Sequence, residues 1–416
     1  MKKHFFILAL LAFTTSAHAQ LGGFAGKLGQ KVNDKINQKV DDLFNKKEKK
    51  TDPSEAEQKD KNTTPDPNNS TKSDAPSFQS YSKFDFISGE KVIAFEDFSQ
   101  ESIGDFPGKW NTDGSGEVVT LNNLQGKWLS MGQYAKYRPE FINGTLPDNF
   151  TLEFDLAIDA HESSGAFNVE IGNAAEINEL EPGKYGAQLQ VYGSSGSDGW
   201  IAITNWCSSD ACKNSSSISN TSTVRVNSKG EKIKISIWRQ KQRLRIYINS
   251  TKVYDLPKLL DAVMPINCIS FKVAAQSIDK FAYVSNLKLA VGAPDTRNKL
   301  ITEGKFVTTG ILFDVNSDQI KPESYGVLKE IATVLKENPT VKIKIVGHTD
   351  SDGDNAANLE LSKKRAAAVK SHLQADFGID ESRMQTEGKG ETVPVSPNVS
   401  SEGKANNRRV EFIKLS

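Results

Sequence analysis

The sequence predicts a multidomain chain, an all-β sandwich or barrel followed by a smaller α/β sandwich. Two observations carry this. Between about Phe84 and Val291, short runs of alternating apolar and polar residues are separated by Gly, Asn, Asp and Ser. After Lys305 the periodicity switches, so that strand-like runs alternate with helix-like ones. The chain is 416 residues long, enough for two or three domains of ordinary size, and its charges balance at 52 against 52. A net charge of +0 gives no footprint for nucleic acid, so any partner must be read from local sites.

The N-terminus reads as a segment for export. Lys2 and Lys3 precede an apolar stretch from Phe5 to Phe13, and Ala17-His18-Ala19 is a small-x-small cleavage pattern, so residues 1–19 are expected to be a signal peptide. The stretch is shorter than the ~20 apolar residues that span a bilayer. Gln20 stands where a lipid-modified protein needs a cysteine. In residues 20–47, Leu28, Val32, Ile36, Val40 and Leu43 mark one stripe of an amphipathic helix, and Lys27, Lys31, Lys35 and Lys39 run parallel to it. Residues 48–83 are charged and rich in Pro, Ser, Thr and Asn, which predicts a flexible spacer.

In the β region, Phe150, Leu152, Phe154, Leu156 and Ile158 alternate with Thr151, Glu153 and Asp155, predicting a strand with one apolar face and one solvated polar face. KIKISIWR and RLRIYIN repeat the pattern and predict a meander. Cys207 and Cys212 are close enough to close a small loop, while Cys268 in INCISF reads as a buried thiol. No spacing of His or Cys suggests a metal, and no motif suggests a cofactor. The segments FEDFSQESIGDFPGKW, RLRIYINSTKVYDLP and FAYVSNLKLAVG resemble parts of concanavalin-like or laminin-G-like jelly-roll domains. The resemblance implies that residues 84–291 are an all-β jelly-roll sandwich with a glycan or protein ligand. Hydrolytic members of that superfamily carry paired carboxylates on one strand, and Glu153 with Asp155 offers a partial match. The next acid, Asp159, lies too far along for their pattern.

Residues 292–304 are expected to be a linker. In 305–416, KFVTTGILFD reads as a strand, and Pro322 opens a helix on which Tyr325, Leu328, Ile331 and Leu335 share a face. VKIKIVG is a second strand, and a second helix runs from about Ala356 to Phe377 with Gly378 as its left-handed cap. RMQTEGKG and RVEFIKLS supply two more strands. Asp350 follows the second strand, and Arg365 sits on the next helix at spacings of four and seven from Leu361 and Asn358, so strand end and helix face can converge.

The run GHTDSDGDNAANLELSKKRAAAV, with FDVNSDQI before it and GKGETVPVSPN and NNRRVEF after it, resembles the OmpA-like peptidoglycan-binding domain. Its outer-membrane, peptidoglycan-associated and flagellar stator members share a βαβαββ fold. Gly347, His348, Thr349, Asp350, Gly353, Asn358, Leu361, Ser362, Arg365, Ala366, Asn407, Arg408 and Arg409 fall at family positions. The resemblance implies peptidoglycan of the diaminopimelate type as partner and outer-membrane association. It assigns Asp350 to the ammonium and Arg365 to the carboxylate of an uncrosslinked diaminopimelate head, a planar fork being suited to the latter. Thr349, Phe313 and Asp314 would flank that head, with Phe313 over the aliphatic stem. Arg409 is either a further contact or a strut holding the last strand. Gly347, Gly353 and Ala366 read as backbone or packing requirements. The expected function is a non-enzymatic wall anchor. The alternatives are a wall-targeted glycoside hydrolase and an outer-membrane β-barrel of porin type.

Overall fold

The computed structural model describes residues 84–415, except 161–164, 177, 195–196, 208–218, 222–225, 227–228, 262–264, 276–281 and 293–294. The expected signal peptide, amphipathic helix and spacer lie outside the described residues.

The first strands are β1 (Lys91–Glu96), β2 (Trp110–Thr112), β3 (Gly116–Leu121), β4 (Leu124–Met131), β5 (Lys136–Pro139), β6 (Asn149–Asp159), β7 (Gly165–Asn173) and β8 (Tyr185–Ser194). They continue through β9 (Ser197–Cys207), β10 (Ser219–Thr221), β11 (Lys229–Gln240), β12 (Arg243–Ile248), β13 (Thr251–Leu256), β14 (Cys268–Ala275) and β15 (Ala282–Val291). One antiparallel sheet runs β13-β12-β11-β6-β15-β4-β3, with β1 also on β15. The other runs β10-β9-β8-β7-β14-β5-β2. The alternating residues of β6 enter the space between the sheets, where Phe154 meets Phe167 and Phe271 at 6.1 and 5.4 Å between ring centroids. The apolar side chains thus face inward between two sheets. A lipid-embedded barrel turns them outward, so the barrel alternative does not describe residues 84–291. Cys207 is disulfide-bonded, and Cys268 is free and buried, its thiol pushed up to about 11 by burial.

A π-helical turn, Asn298–Thr302, leads to β16 (Lys305–Thr308). A 3-10 turn at Pro322–Ser324 then opens α1 (Tyr325–Glu337), followed by β17 (Lys342–His348), α2 (Asn355–Ala375), β18 (Met384–Gly390), α3 (Ser401–Asn407) and β19 (Val410–Leu415). The four-stranded sheet is ordered β16-β19-β17-β18, with β17 and β18 parallel. Leu328, Ile331 and Leu335 of α1 and Ala366, Val369 and Leu373 of α2 share a core with Ile343, Ile345 and Phe412. Asp354 caps α2 by accepting from the amides of Ala356 and Ala357. Gly378 follows at φ +67°, the left-handed conformation its place in the sequence suggests. KFVTTGILFD keeps strand structure only over Lys305–Thr308, and α3 adds a short helix that the sequence pattern did not mark.

Two expectations need correction. The polar face of β6 is not solvated: Thr151, Glu153 and Asp155 are 0%, 2% and 4% exposed. The second core closes over that side of the sheet. Trp238 and Tyr247, which point away from the sandwich interior, pack with Phe84, Phe86 and Ile87 and with the α1 and β17 side chains. Tyr247 meets Phe84 and Phe86 at 5.4 and 5.3 Å, and a Cβ on Gly326 of α1 would lie 2.2 Å from the Phe86 carbonyl oxygen. Residues 84–88 therefore belong to the second core as much as to the sandwich. The stretch 292–304 is likewise no free tether, because Leu300 is fully buried in the same core and Lys299 pairs with Glu90 at 2.5 Å.

Candidate functional site

The carboxylates considered for hydrolysis are enclosed and ion-paired. Glu153 accepts from Ser88 Oγ at 2.7 Å and lies 2.9 Å from Lys288 Nζ. Burial would raise its carboxyl, but Lys288, Lys234 and Ser88 outweigh burial and hold it below its usual range. Asp155 meets Lys232 at 3.3 Å and Asn286 at 2.9 Å. A general acid needs a raised pKa and access to substrate, and Glu153 has neither.

The second candidate site lies at the end of β17. Gly347 and Gly388 bring α2 against β17 and β18, since a Cβ at either would lie 2.3 or 2.4 Å from backbone atoms of Ser362 or Lys363. With the helix this close, Ser362 Oγ accepts from the amide of Gly390 at 2.9 Å, and Asn358 reaches the turn after β17. Its Nδ2 donates to the carbonyls of Asp350 and Asp352 at 3.4 and 3.1 Å and to Glu391 Oε2 at 2.6 Å. Gly353 completes that turn at φ +101°. Thr349 is buried, its amide bonded to the carbonyl of Gly390 at 3.0 Å, and its hydroxyl makes no hydrogen bond among the described residues.

Arg365 is fixed by the loop that FDVNSDQI forms between the paired Phe313 and Ile320. Its Nε donates to the Ser317 carbonyl at 3.0 Å and its Nη2 to the Asp314 carbonyl at 3.4 Å, while the guanidinium lies 4.8 Å over the Phe313 ring. Burial lowers the Arg365 pKa and Asp350 opposes that effect. The remaining guanidinium donors can meet a carboxylate. Asp314 contributes its carbonyl to this arrangement, its carboxylate turning to Lys321 at 3.6 Å. Leu361 is half-buried one turn from Asn358 on the same helix.

Asp350 is 7% exposed, and its oxygens accept from the Asp352 amide at 3.1 Å and from Arg408 Nη1 at 2.5 Å. Arg408, and not Arg409, is the neighbour of Asp350. Arg409 is buried, donating through Nε and Nη2 to Glu411 Oε1 at 2.9 and 2.8 Å and to the Val393 carbonyl at 3.1 Å. Of the two roles open to it, the geometry is that of the strut. The signal lay in the spacing: Arg409 and Glu411 stand two apart at the start of a strand, hence on one face, which turns Arg408 to the other. Asn407 anchors the adjoining loop, its Oδ1 accepting from Val395 and Ser396 amides at 2.8 and 3.1 Å.

The sheet is backed by helices, with Asp350 just beyond the end of the central strand β17 and Arg365 on the helix that follows. Residues 312–408 match the OmpA family, so the C-terminal part of this chain is an OmpA-family domain. The chain is 39% identical over 105 residues to outer membrane porin F of Pseudomonas aeruginosa, a match covering 25% of this chain and 30% of that protein. It is 36% identical over 108 residues to the peptidoglycan-binding protein ArfA of Mycobacterium bovis, covering 26% and 33%. The peptidoglycan-associated lipoprotein from Burkholderia pseudomallei, a solved structure, is 27% identical with a TM-score of 0.25, covering 29% of this chain and 98% of that one. The match thus spans about a third of the two curated relatives.

Proposed function

We propose that this chain is an exported, non-enzymatic envelope protein whose C-terminal domain binds peptidoglycan. Asp350 would take the ammonium, and Arg365 the carboxylate, of the free diaminopimelate head on an uncrosslinked stem peptide. The observation that carries this reading is the pairing of a nearly buried carboxylate with a guanidinium pinned by loop carbonyls and the Phe313 ring. Together they offer one charge of each sign to a zwitterion. Thr349, with its spare hydroxyl, Phe313 and the Asp314 carbonyl would flank the head. Asn358 and Leu361 hold the walls, and Arg409 supports the last strand without touching ligand. Residues 1–19 direct export, and 20–83 connect the exported N-terminus to the folded part at the outer membrane.

In the test, wild type, Asp350→Ala and Arg365→Ala are sedimented with insoluble diaminopimelate-type peptidoglycan. Wild type is expected in the pellet and both variants in the supernatant with their circular dichroism unchanged. Undiminished sedimentation of both variants would refute the zwitterion reading.

A second reading concerns the jelly-roll sandwich, for which a glycan ligand is favoured over a protein by the outer face of the seven-stranded sheet. Tyr192 and Trp200 stack there at 3.6 Å, and hydrogen bonds run from Tyr192 through Gln190 and Gln188 to Glu170 at 3.2, 2.7 and 2.6 Å. Trp206 lies against Gly186 at the other end, and the buried Asn168 Oδ1 beside them is without a hydrogen bond among the described residues. Aromatic faces interleaved with amides suit the apolar faces and hydroxyls of a sugar.

A further inference from the structure

Each successive residue from Ala405 to Arg409 is committed to a different neighbour. Ala405 packs on Val92 and Ala290 of the sandwich. Asn406 grips one residue of β1 from both sides, its Oδ1 accepting from the Val92 amide at 3.1 Å and its Nδ2 donating to the Val92 carbonyl at 2.9 Å. Asn407 holds the 395–396 loop, Arg408 covers Asp350, and Arg409 is locked to Glu411. The guanidinium of Arg408 has a second neighbour besides Asp350: it lies 5.2 Å over the ring of Phe95, which is on β1. A sandwich residue thus touches the group that closes the C-terminal site.

Each oxygen of Asp350 already has a donor and its side chain is 10% exposed, so an incoming ammonium competes with Arg408 for the carboxylate. Arg408 itself is 38% exposed and free to swing toward solvent once released. We propose that Arg408 is a latch over Asp350 and that Phe95 is the positioning residue that keeps it closed, so that the sandwich sets the affinity of the C-terminal domain for its ligand. The cation–π contact stabilises only the closed form, and a ligand that binds the open form has to overcome it. By linkage, a bound ligand weakens the Arg408–Phe95 contact to the same degree. This rests on the zwitterion reading of Asp350.

The test uses the full chain and a disaccharide-tetrapeptide carrying meso-diaminopimelate, titrated calorimetrically. Phe95→Ala is expected to tighten binding about two- to fivefold, the worth of an exposed cation–π contact. Phe95→Tyr, which keeps the ring, should bind as wild type does. Arg408→Gln should tighten binding at least as much, and Phe95→Ala added to it should change nothing further. That non-additivity would not arise from a merely structural role of Phe95. If Phe95→Ala does not fold, Arg408→Lys serves instead, because it keeps the charge but loses the planar stack, and it should tighten binding. Unchanged or weaker binding in Phe95→Ala, or an equal effect in the Arg408→Gln background, overturns the latch alone. A wild-type chain that does not bind the muropeptide overturns the zwitterion reading and the latch with it.

Discussion

Replacing Arg409 by Gln separates support of the fold from contact with ligand. The guanidinium is 4% exposed and Glu411 is 6% exposed, so the substitution leaves a carboxylate inside the protein with part of its compensation gone. What remains for Glu411 is Lys305 Nζ at 2.7 Å, on a side chain 47% exposed, and His348 Nε2 at 3.4 Å. Burial alone would raise the Glu411 carboxyl, yet the neighbouring His348, Lys305 and Arg409 hold it well below its usual range. Breaking a buried pair by removing one partner costs about 3–5 kcal/mol, and the surviving Lys305 puts this case near about 3. Glu411 with a lowered pKa stabilises the fold above the ordinary carboxylate pKa, and this contribution fades as pH falls, so the loss should be largest near neutrality and shrink in acid. The assay is urea unfolding at pH 7 followed by far-ultraviolet circular dichroism. The midpoint should fall with little change in slope, while muropeptide affinity, measured well below the transition, stays at the wild-type value. A loss of stability under about 1 kcal/mol, or a loss of affinity in a chain as stable as wild type, would refute the strut assignment.

Two further expectations concern the sandwich. Glu96 is 6% exposed, and burial, opposed by the Phe98 amide, pushes its carboxyl up to about 7 from 4.5. A raised acid stabilises the fold fully below its unfolded pKa and loses that contribution as pH rises through 7. Glu96→Gln should therefore exceed wild-type stability at pH 8 by up to about 3 kcal/mol and match it below pH 4.5, and parallel pH–stability curves would contradict this. Trp206→Ala should abolish retardation of the chain in native gels containing whichever soluble polysaccharide retards wild type. Retardation by none of a panel of glucans, mannans and β-1,4-linked N-acetylglucosamine oligomers would remove the glycan reading.

What was legible in the sequence was local. The alternation in β6, the start of the first helix at Pro322 and the cap at Gly378 each depend on a few adjacent residues, and each carries its own stereochemical reason. That Arg365 shares a helix face with Leu361 and Asn358 was also readable, because helical spacing fixes which side chains lie together. Burial of Thr151, Glu153 and Asp155 was not, because the groups that cover and neutralise them come from far along the chain: Ser88 precedes Glu153 by 65 positions. Alternation reports that one face is polar but not whether another element sits on it. That Arg408 is the neighbour of Asp350 was not readable either, for a different reason. The family motif treats two adjacent arginines alike, whereas strand geometry sends them to opposite sides. Phe95 carried no signal at all, since its significance lies only in what stands above it.

The seam formed by Phe86, Trp238, Tyr247 and α1 bears on how the proposed anchor would carry load. A wall-bound domain joined to its cargo by a single strand of chain would pass any tension through that strand alone. Here the apolar seam, the Lys299–Glu90 pair and the Asn406 grip on Val92 lie in parallel with the covalent path. A pull on the last residues is thus spread across a surface before it reaches the connection at 292–304. The two halves should yield together, as one mechanical element, at a force above that which extends a free linker.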